Sequence, residues 1–365
     1  MSLVLKPGEV LNKDIRTSKG ILLIPKGTRL TVDMVEKLKH FSIDDMGIAS
    51  EHPPIVPNTT FSNTTFSKKS KMEMPTCDAK IENVESKVES VKQIFEENMN
   101  PKEIESIAFD TAADIVEEIA EFDNGTNICI NDLRVSDEYT YQHSVDVSIL
   151  ATMLGKNLGL PKRNLNELAQ AGLLHDIGKQ KIPKEILNKP SRLTEEEMVI
   201  MRTHSLLGYE IAKGMPSISD AVKIGILQHH EKVDGSGYPY ASTPPELGLY
   251  AKILSIADVY DALTHKRCYK PSMSSAEAFG IMSNEIMTFD TKFFVEFFKH
   301  ITFYPLQSQV ILTNGTVWTV IDNKNARNPK VVDSTGFMLD LSISHLKVFG
   351  VYSESMMAKW QNSHT

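Results

Sequence analysis

From about residue 79 to about residue 300 apolar side chains recur at helical spacing almost without a break, the one interruption being a Gly/Pro-rich stretch at 234–248. Outside that span the pattern changes. Residues 1–50 read as short strands separated by Pro-Gly and Lys-Gly turns, with one helical stretch at TVDMVEKLKHF, which predicts a small α+β domain. Residues 51–78 are expected to be a linker, because the run up to Pro75 is rich in Pro, Asn, Thr, Ser and Lys and has too few large apolar residues at either period to bury a face. Beyond about 305 the apolar positions alternate as in strands, and Asn314-Gly315 between QVIL and VWTVI is a hairpin signal. In SRLTEEEM, Thr194 and Glu197 have capping-box spacing, which predicts a helix starting near 195. The expected fold is mostly α: a helical bundle over 79–305, preceded by the 1–50 domain and followed by a small β element and tail over 306–365. No repeat of 20 to 50 residues is visible.

Composition narrows the function classes. Lys+Arg total 39 and Asp+Glu 47, a net charge of −8, so the chain lacks the broad basic surface that polymeric DNA or RNA demands. No apolar run approaches the roughly 18 residues of a spanning helix, and the opening MSLVLKPGEVL lacks the basic and long apolar stretches of a secretory signal. A cytoplasmic protein without a membrane partner is expected. The three cysteines, Cys77, Cys129 and Cys268, are odd in number and far apart, which suits neither a disulfide framework nor a paired thiolate zinc site. Any metal must use other ligands.

Five of the 11 histidines, His143, His175, His204, His229 and His230, fall between 143 and 230. Any one of them would ordinarily be a satisfied core side chain. Their company is what matters. His175 and Asp176 follow a strongly apolar helical stretch in ELAQAGLLHDIGK, and Asp258 lies in the middle of another, AKILSIADVYDAL, with Asp261 one turn on. An unpaired buried carboxylate costs several kcal/mol, so these acids must be paired, protonated or coordinated. A shared explanation for five imidazoles and two carboxylates, without thiolate, is a hydrolytic site for iron, manganese or a similar divalent ion. Seven ligands with one bridging acid match two ions.

In their order, His143, His175-Asp176 with Lys179 in HDIGK, His204, His229-His230 and Asp258 resemble the HD superfamily of metal-dependent phosphohydrolases. The stretches DEYTYQHS (137–144), HHEKVDGSGYP (229–239) and IADVYDALTHKRCYK (256–270) narrow the resemblance to the HD-GYP family of cyclic dinucleotide phosphodiesterases. The likeness runs from about 79 to 305 and implies an HD-type helical core. It implies two divalent ions, iron or manganese, the first held by His143, His175, Asp176 and Asp258 and the second by Asp176, His204, His229 and His230. Two cations sharing one water lower its pKa enough to supply hydroxide near neutral pH for attack on phosphorus. The implied activity is hydrolysis of a cyclic dinucleotide, cyclic di-GMP first, to linear pGpG, with a further step to GMP, the mixed 3'3' cyclic GMP-AMP substrate and a non-cleaving receptor all left open.

The resemblance also implies roles for other residues. Lys179 would set an ammonium against a phosphate oxygen, acting with Asp176 in catalysis. Arg267 and Lys270 would reach the phosphates, and Tyr238 in DGSGYP would stack on a base; a solvated basic turn and a tyrosine packed on the core are the plain alternatives. Diguanylate cyclase domains are a candidate partner, and the oligomeric state is open. Two departures stand out. Tyr139 occupies the place of the Glu that holds a third metal in some members, and Asp146 that of the more usual asparagine.

Overall fold

Helices begin where polar side chains can satisfy their first free N–H groups. In the computed structural model, which describes residues 6, 15–17, 22–24, 46–48, 81–97, 99–122, 139–265, 273–325 and 327–363, the Thr194 hydroxyl accepts from the Glu197 N–H (3.3 Å) and the Glu197 carboxylate accepts from the Thr194 N–H (2.7 Å). This is the expected capping box, and a helix follows over Glu195–Arg202. Asn100 and Ser274 cap two further helices in the same way, starts that apolar periodicity did not single out.

The chain divides into two compact units, Met1–Thr76 and Cys77–Thr365. In the first, β1 (Ile15–Thr17), β2 (Leu22–Ile24) and β3 (Met46–Ile48) form an antiparallel sheet in the order β2-β1-β3. The helix expected at TVDMVEKLKHF and the expected linker lie outside the described residues.

The second unit is mostly α, as the periodicity predicts. Its helices are α1 (Val84–Glu96), α2 (Pro101–Glu121), α3 (Tyr139–Asn157), α4 (Lys162–Leu174), α5 (Lys184–Leu187), α6 (Glu195–Arg202), α7 (His204–Lys213), α8 (Asp220–Gln228), α9 (Leu249–Thr264), α10 (Ser275–Asn284) and α11 (Thr291–Lys299). A 3-10 turn, Ile177–Lys181, follows α4. Helices α3, α4, α8 and α9 close a ring in which α3 packs on α4, α4 on α8, α8 on α9 and α9 back on α3. Every residue of α3 from 142 to 155 is buried, so its polar groups need partners inside the protein: the Ser148 hydroxyl donates to the Ala169 carbonyl (2.9 Å) and the Thr152 hydroxyl to the Ser148 carbonyl (2.7 Å).

The unit ends in an antiparallel sheet of β4 (Gln309–Leu312), β5 (Val317–Asp322), β6 (Lys330–Val332), β7 (Met338–Asp340) and β8 (Val348–Val351), ordered β7-β6-β5-β4-β8, followed by α12 (Glu354–Ser363). The Asn314-Gly315 signal lies in the β4–β5 hairpin, where Gly315 takes φ 81°, a conformation open to glycine. The Arg327 guanidinium lies 4.7 Å from the Phe279 ring and ties the sheet to α10. Among the described residues, no helix is long and apolar enough to cross a membrane.

Candidate metal centre

The ring of helices, together with α7, delivers the seven singled-out side chains to one place. His143 sits near the start of α3, His175 caps the end of α4 and Asp176 opens the 3-10 turn. His204 is the first residue of α7, His229 caps the end of α8 with His230 next to it, and Asp258 lies within α9. The backbone leaves the α-helix after Leu174, although the apolar pattern alone would carry the helix through HDIGK. Gly178 explains the change: a β-carbon there would strike the backbone of His204 and Gly208, so its absence lets the turn lie directly on α7.

Asp176 stands between two sets of imidazoles. Its Oδ2 is 3.4 Å from His175 Nε2 and 3.7 Å from His143 Nε2, while Oδ1 is 3.3 Å from His204 Nε2. His204 Nε2 in turn is 3.3 Å from His229 Nε2 and 3.1 Å from His230 Nε2. Asp258 completes the enclosure, with Oδ1 3.2 Å from His143 Nε2 and Oδ2 3.5 Å from His230 Nδ1. Of the seven, His230 is half-buried and the other six are buried.

The hydrogen bonds on the outer side of the rings decide what the inner side offers. His175 Nδ1 donates to the Gly172 carbonyl (2.7 Å), His204 Nδ1 to that of Met201 (2.8 Å) and His229 Nδ1 to that of Ile226 (2.7 Å). His143 Nδ1 donates to Asp261 Oδ2 (2.7 Å). With those protons committed outward, each Nε2 turns a lone pair inward, and the buried His175 Nε2 has no hydrogen-bond partner. Lone pairs and carboxylates that converge in this way repel unless cations lie among them, and outward-donating imidazoles are how proteins orient metal ligands.

Charge states agree with that reading. Burial and the neighbouring imidazoles hold His229 well below its ordinary value, and burial holds His204 low and takes His230 down to about 3. Burial opposes ionisation of Asp176, yet the Lys179 ammonium, with His175 and His204, keeps its carboxyl well below the usual carboxylate range. Asp258 is likewise held low against burial, chiefly by His143 beside it, with His230 adding to the effect. Neutral imidazoles and ionised carboxylates are the forms that bind divalent metal, and the groups His143/His175/Asp258, His175/Asp176/His229 and His204/His229/His230 each gather ligand atoms closely enough to hold an ion.

The remaining singled-out residues are placed as follows. Lys179 Nζ lies 2.5 Å from Asp176 Oδ2. The Tyr238 ring lies 4.6 Å from that of His230, with the Arg202 guanidinium 5.2 Å from its centroid. Arg267 and Lys270 fall outside the described residues, as does the Tyr139 side chain. Asp146 is fully buried in α3 and accepts from the Gln142 amide (2.7 Å).

Sequence reasoning did not single out Glu231, His265 or Arg202. Glu231, only 3% exposed, accepts from the Tyr240 and Ser242 N–H groups (2.7 and 3.0 Å) and anchors the DGSGYP loop beside the histidine pair. A charged residue after two histidines carries no burial signal of its own, which is why it was missed.

Residues 127–292 match the HD domain family. A cyclic di-GMP phosphodiesterase of Pseudomonas aeruginosa is 40% identical over 190 residues, covering 52% of this chain and 46% of that protein. A 3'3'-cGAMP-specific phosphodiesterase of Vibrio cholerae is 34% identical over 195 residues, covering 53% of this chain and 40% of that protein. The matches thus span less than half of either curated relative. A solved structure of an HDG"Y"P protein from Bdellovibrio bacteriovorus aligns with 80% of this chain, over 95% of its own, at 17% identity and a TM-score of 0.49. The resemblance read from the ordered histidines and aspartates is borne out by the match of residues 127–292 to the HD domain family and by the named relatives.

Proposed function

We propose that the chain is a metal-dependent phosphodiesterase that hydrolyses a cyclic dinucleotide, with His143, His175, Asp176, His204, His229, His230 and Asp258 holding two divalent ions and Asp176 bridging them. The observation that carries this reading is the division of Asp176, one oxygen toward His143 and His175 and the other toward His204. Bound divalent ions would polarise a phosphoryl oxygen and lower the pKa of water. The chain's own groups do the rest. Carbonyls and Asp261 hold the imidazoles by Nδ1, so ligand atoms need no reorganisation when substrate arrives. Lys179, a quarter exposed beside Asp176, is positioned to exchange that contact for a phosphate oxygen. Tyr238, against His230 and held by a loop that Glu231 anchors, offers a ring face to a nucleobase. Arg267 and Lys270 are assigned to the second phosphate by resemblance.

Cyclic di-GMP is the first-choice substrate, in line with the Pseudomonas relative, and 3'3'-cGAMP is the second, in line with the Vibrio relative. Iron or manganese suits the imidazole and carboxylate donors. Incubating the manganese- or iron-loaded chain with each dinucleotide and separating products by anion exchange tests this. Conversion to the linear dinucleotide is expected, and no turnover above a metal-only control overturns it.

A further inference from the structure

A further buried group lies on the Nδ1 side of His143. Asp146 and Asp261 are fully buried and His265 is 6% exposed. His265 Nδ1 lies 3.6 Å from Asp146 Oδ2 and 3.6 Å from Asp261 Oδ2, within ion-pair range of both. The same Asp261 oxygen receives the Nδ1 proton of His143 at 2.7 Å. These contacts follow from the two helices. On α3, His143 and Asp146 are three positions apart; along α9 and its cap, Asp261 and His265 are four apart, so each pair shares one helical face. Where α3 and α9 pack together, base faces acid and acid faces base, giving a ladder from Asp146 through His265 and Asp261 to His143.

We propose that His265, paired with Asp146, is a positioning residue that keeps Asp261 aimed at His143 and thereby fixes His143 as a metal ligand. This rests on the reading of His143 as a ligand given above. A carboxylate can swing about its last torsion, and Asp261 Oδ2 holds the His143 proton only in one setting. With His265 Nδ1 in ion-pair range of that same oxygen, 3.6 Å away, the setting becomes the favourable one. Asp146 Oδ2 stands in ion-pair range of His265 Nδ1, and Gln142, donating to the other Asp146 oxygen, holds Asp146 in turn. A packing role alone would not need charge at this seam, because buried ion pairs add little stability over apolar side chains of equal volume. What they supply is orientation, and partners outside the ligand set of a metal site typically govern about 10- to 100-fold in affinity.

The test is a manganese titration of the metal-stripped full chain against a competing chelator, for the wild type and the variants His265→Leu, His265→Asn and Asp146→Asn, with circular dichroism and melting of each metal-free form. His265→Leu is expected to weaken one manganese site by about tenfold, and Asp146→Asn to weaken the same site in the same direction. His265→Asn, whose amide N–H stands where Nδ1 stood, should restore affinity to within about threefold of wild type. Unchanged affinity in folded His265→Leu, or in Asp146→Asn if the leucine variant does not fold, overturns the proposal. Equal losses in the leucine and asparagine variants make the effect one of packing and also overturn it. A third manganese equivalent that vanishes in His265→Leu while the other two are untouched does the same, since the cluster would then be a cation site. Failure of the wild type to bind any manganese brings down the metal reading and this proposal with it, whereas wild-type binding with unaffected variants removes this proposal alone.

Discussion

Gly178 lies directly against the His204 carbonyl, with no space between them for a β-carbon. That contact sets the distance between the turn carrying Asp176 and the helix whose first residue is His204. Gly178→Ala should therefore push α7 away, lower stability by about 1–3 kcal/mol and move the melting midpoint down by several degrees in a thermal scan. Activity should fall further than stability, because His204 Nε2 leaves Asp176. An alanine variant with wild-type melting and turnover would show that the close approach positions nothing.

Asp176 and Lys179 should separate by kinetics although they touch. Asp176→Ala removes the carboxylate shared by both imidazole sets, and turnover should drop by about 10³-fold or more, with the fold retained by circular dichroism. Lys179→Ala leaves the ligands in place and should act mainly by raising KM. Equal loss of kcat in both variants would argue against a phosphate-facing role for Lys179.

Glu231→Gln keeps the shape of an anchor but weakens its grip on the Tyr240 and Ser242 N–H groups. The loop bearing Tyr238 should loosen, raising KM several-fold while kcat stays within about threefold. Steady-state kinetics on the dinucleotide checks this, and an unchanged KM would detach the loop from substrate binding.

Stability of the metal-free chain should depend on pH with a definite sign. His230 falls from its ordinary 6.5 to about 3 in the folded protein, and His204 and His229 are lowered as well, chiefly by burial. Below about pH 6.5 the unfolded chain then binds more protons than the folded one, so stability falls as pH falls. The depressed carboxylates Asp176 and Asp258 extend the loss below about pH 4, as they are protonated first in the unfolded state. The melting midpoint of chelator-treated protein should decline steadily from pH 7 to pH 5, and a flat profile would contradict the buried neutral histidines.

Much of this was legible in the chain because burial makes polar groups conspicuous. Asp258 in an otherwise apolar helix had to have a partner, and the structure provides His143 and His230. Thr194 announced its helix through local chemistry alone. What the sequence did not disclose depends on contacts between distant segments. The contact between Asp261 and His143 joins positions 118 apart, and no local pattern pairs Asp146 with His265. The helix break before Asp176 was hidden for the same reason: it follows from the space Gly178 leaves for α7, whereas local periodicity favours continuing the helix. Asp146, standing where asparagine is more usual, proves to face an imidazole.

The most direct test of the account is the metal content of the chain refolded or grown with excess manganese, desalted, and measured by elemental analysis alongside Asp176→Ala. The account predicts two equivalents per chain in the wild type and a loss of at least one in the variant, because the bridging carboxylate serves both ions. A well-folded wild type retaining no metal, or a variant retaining both equivalents, would contradict it.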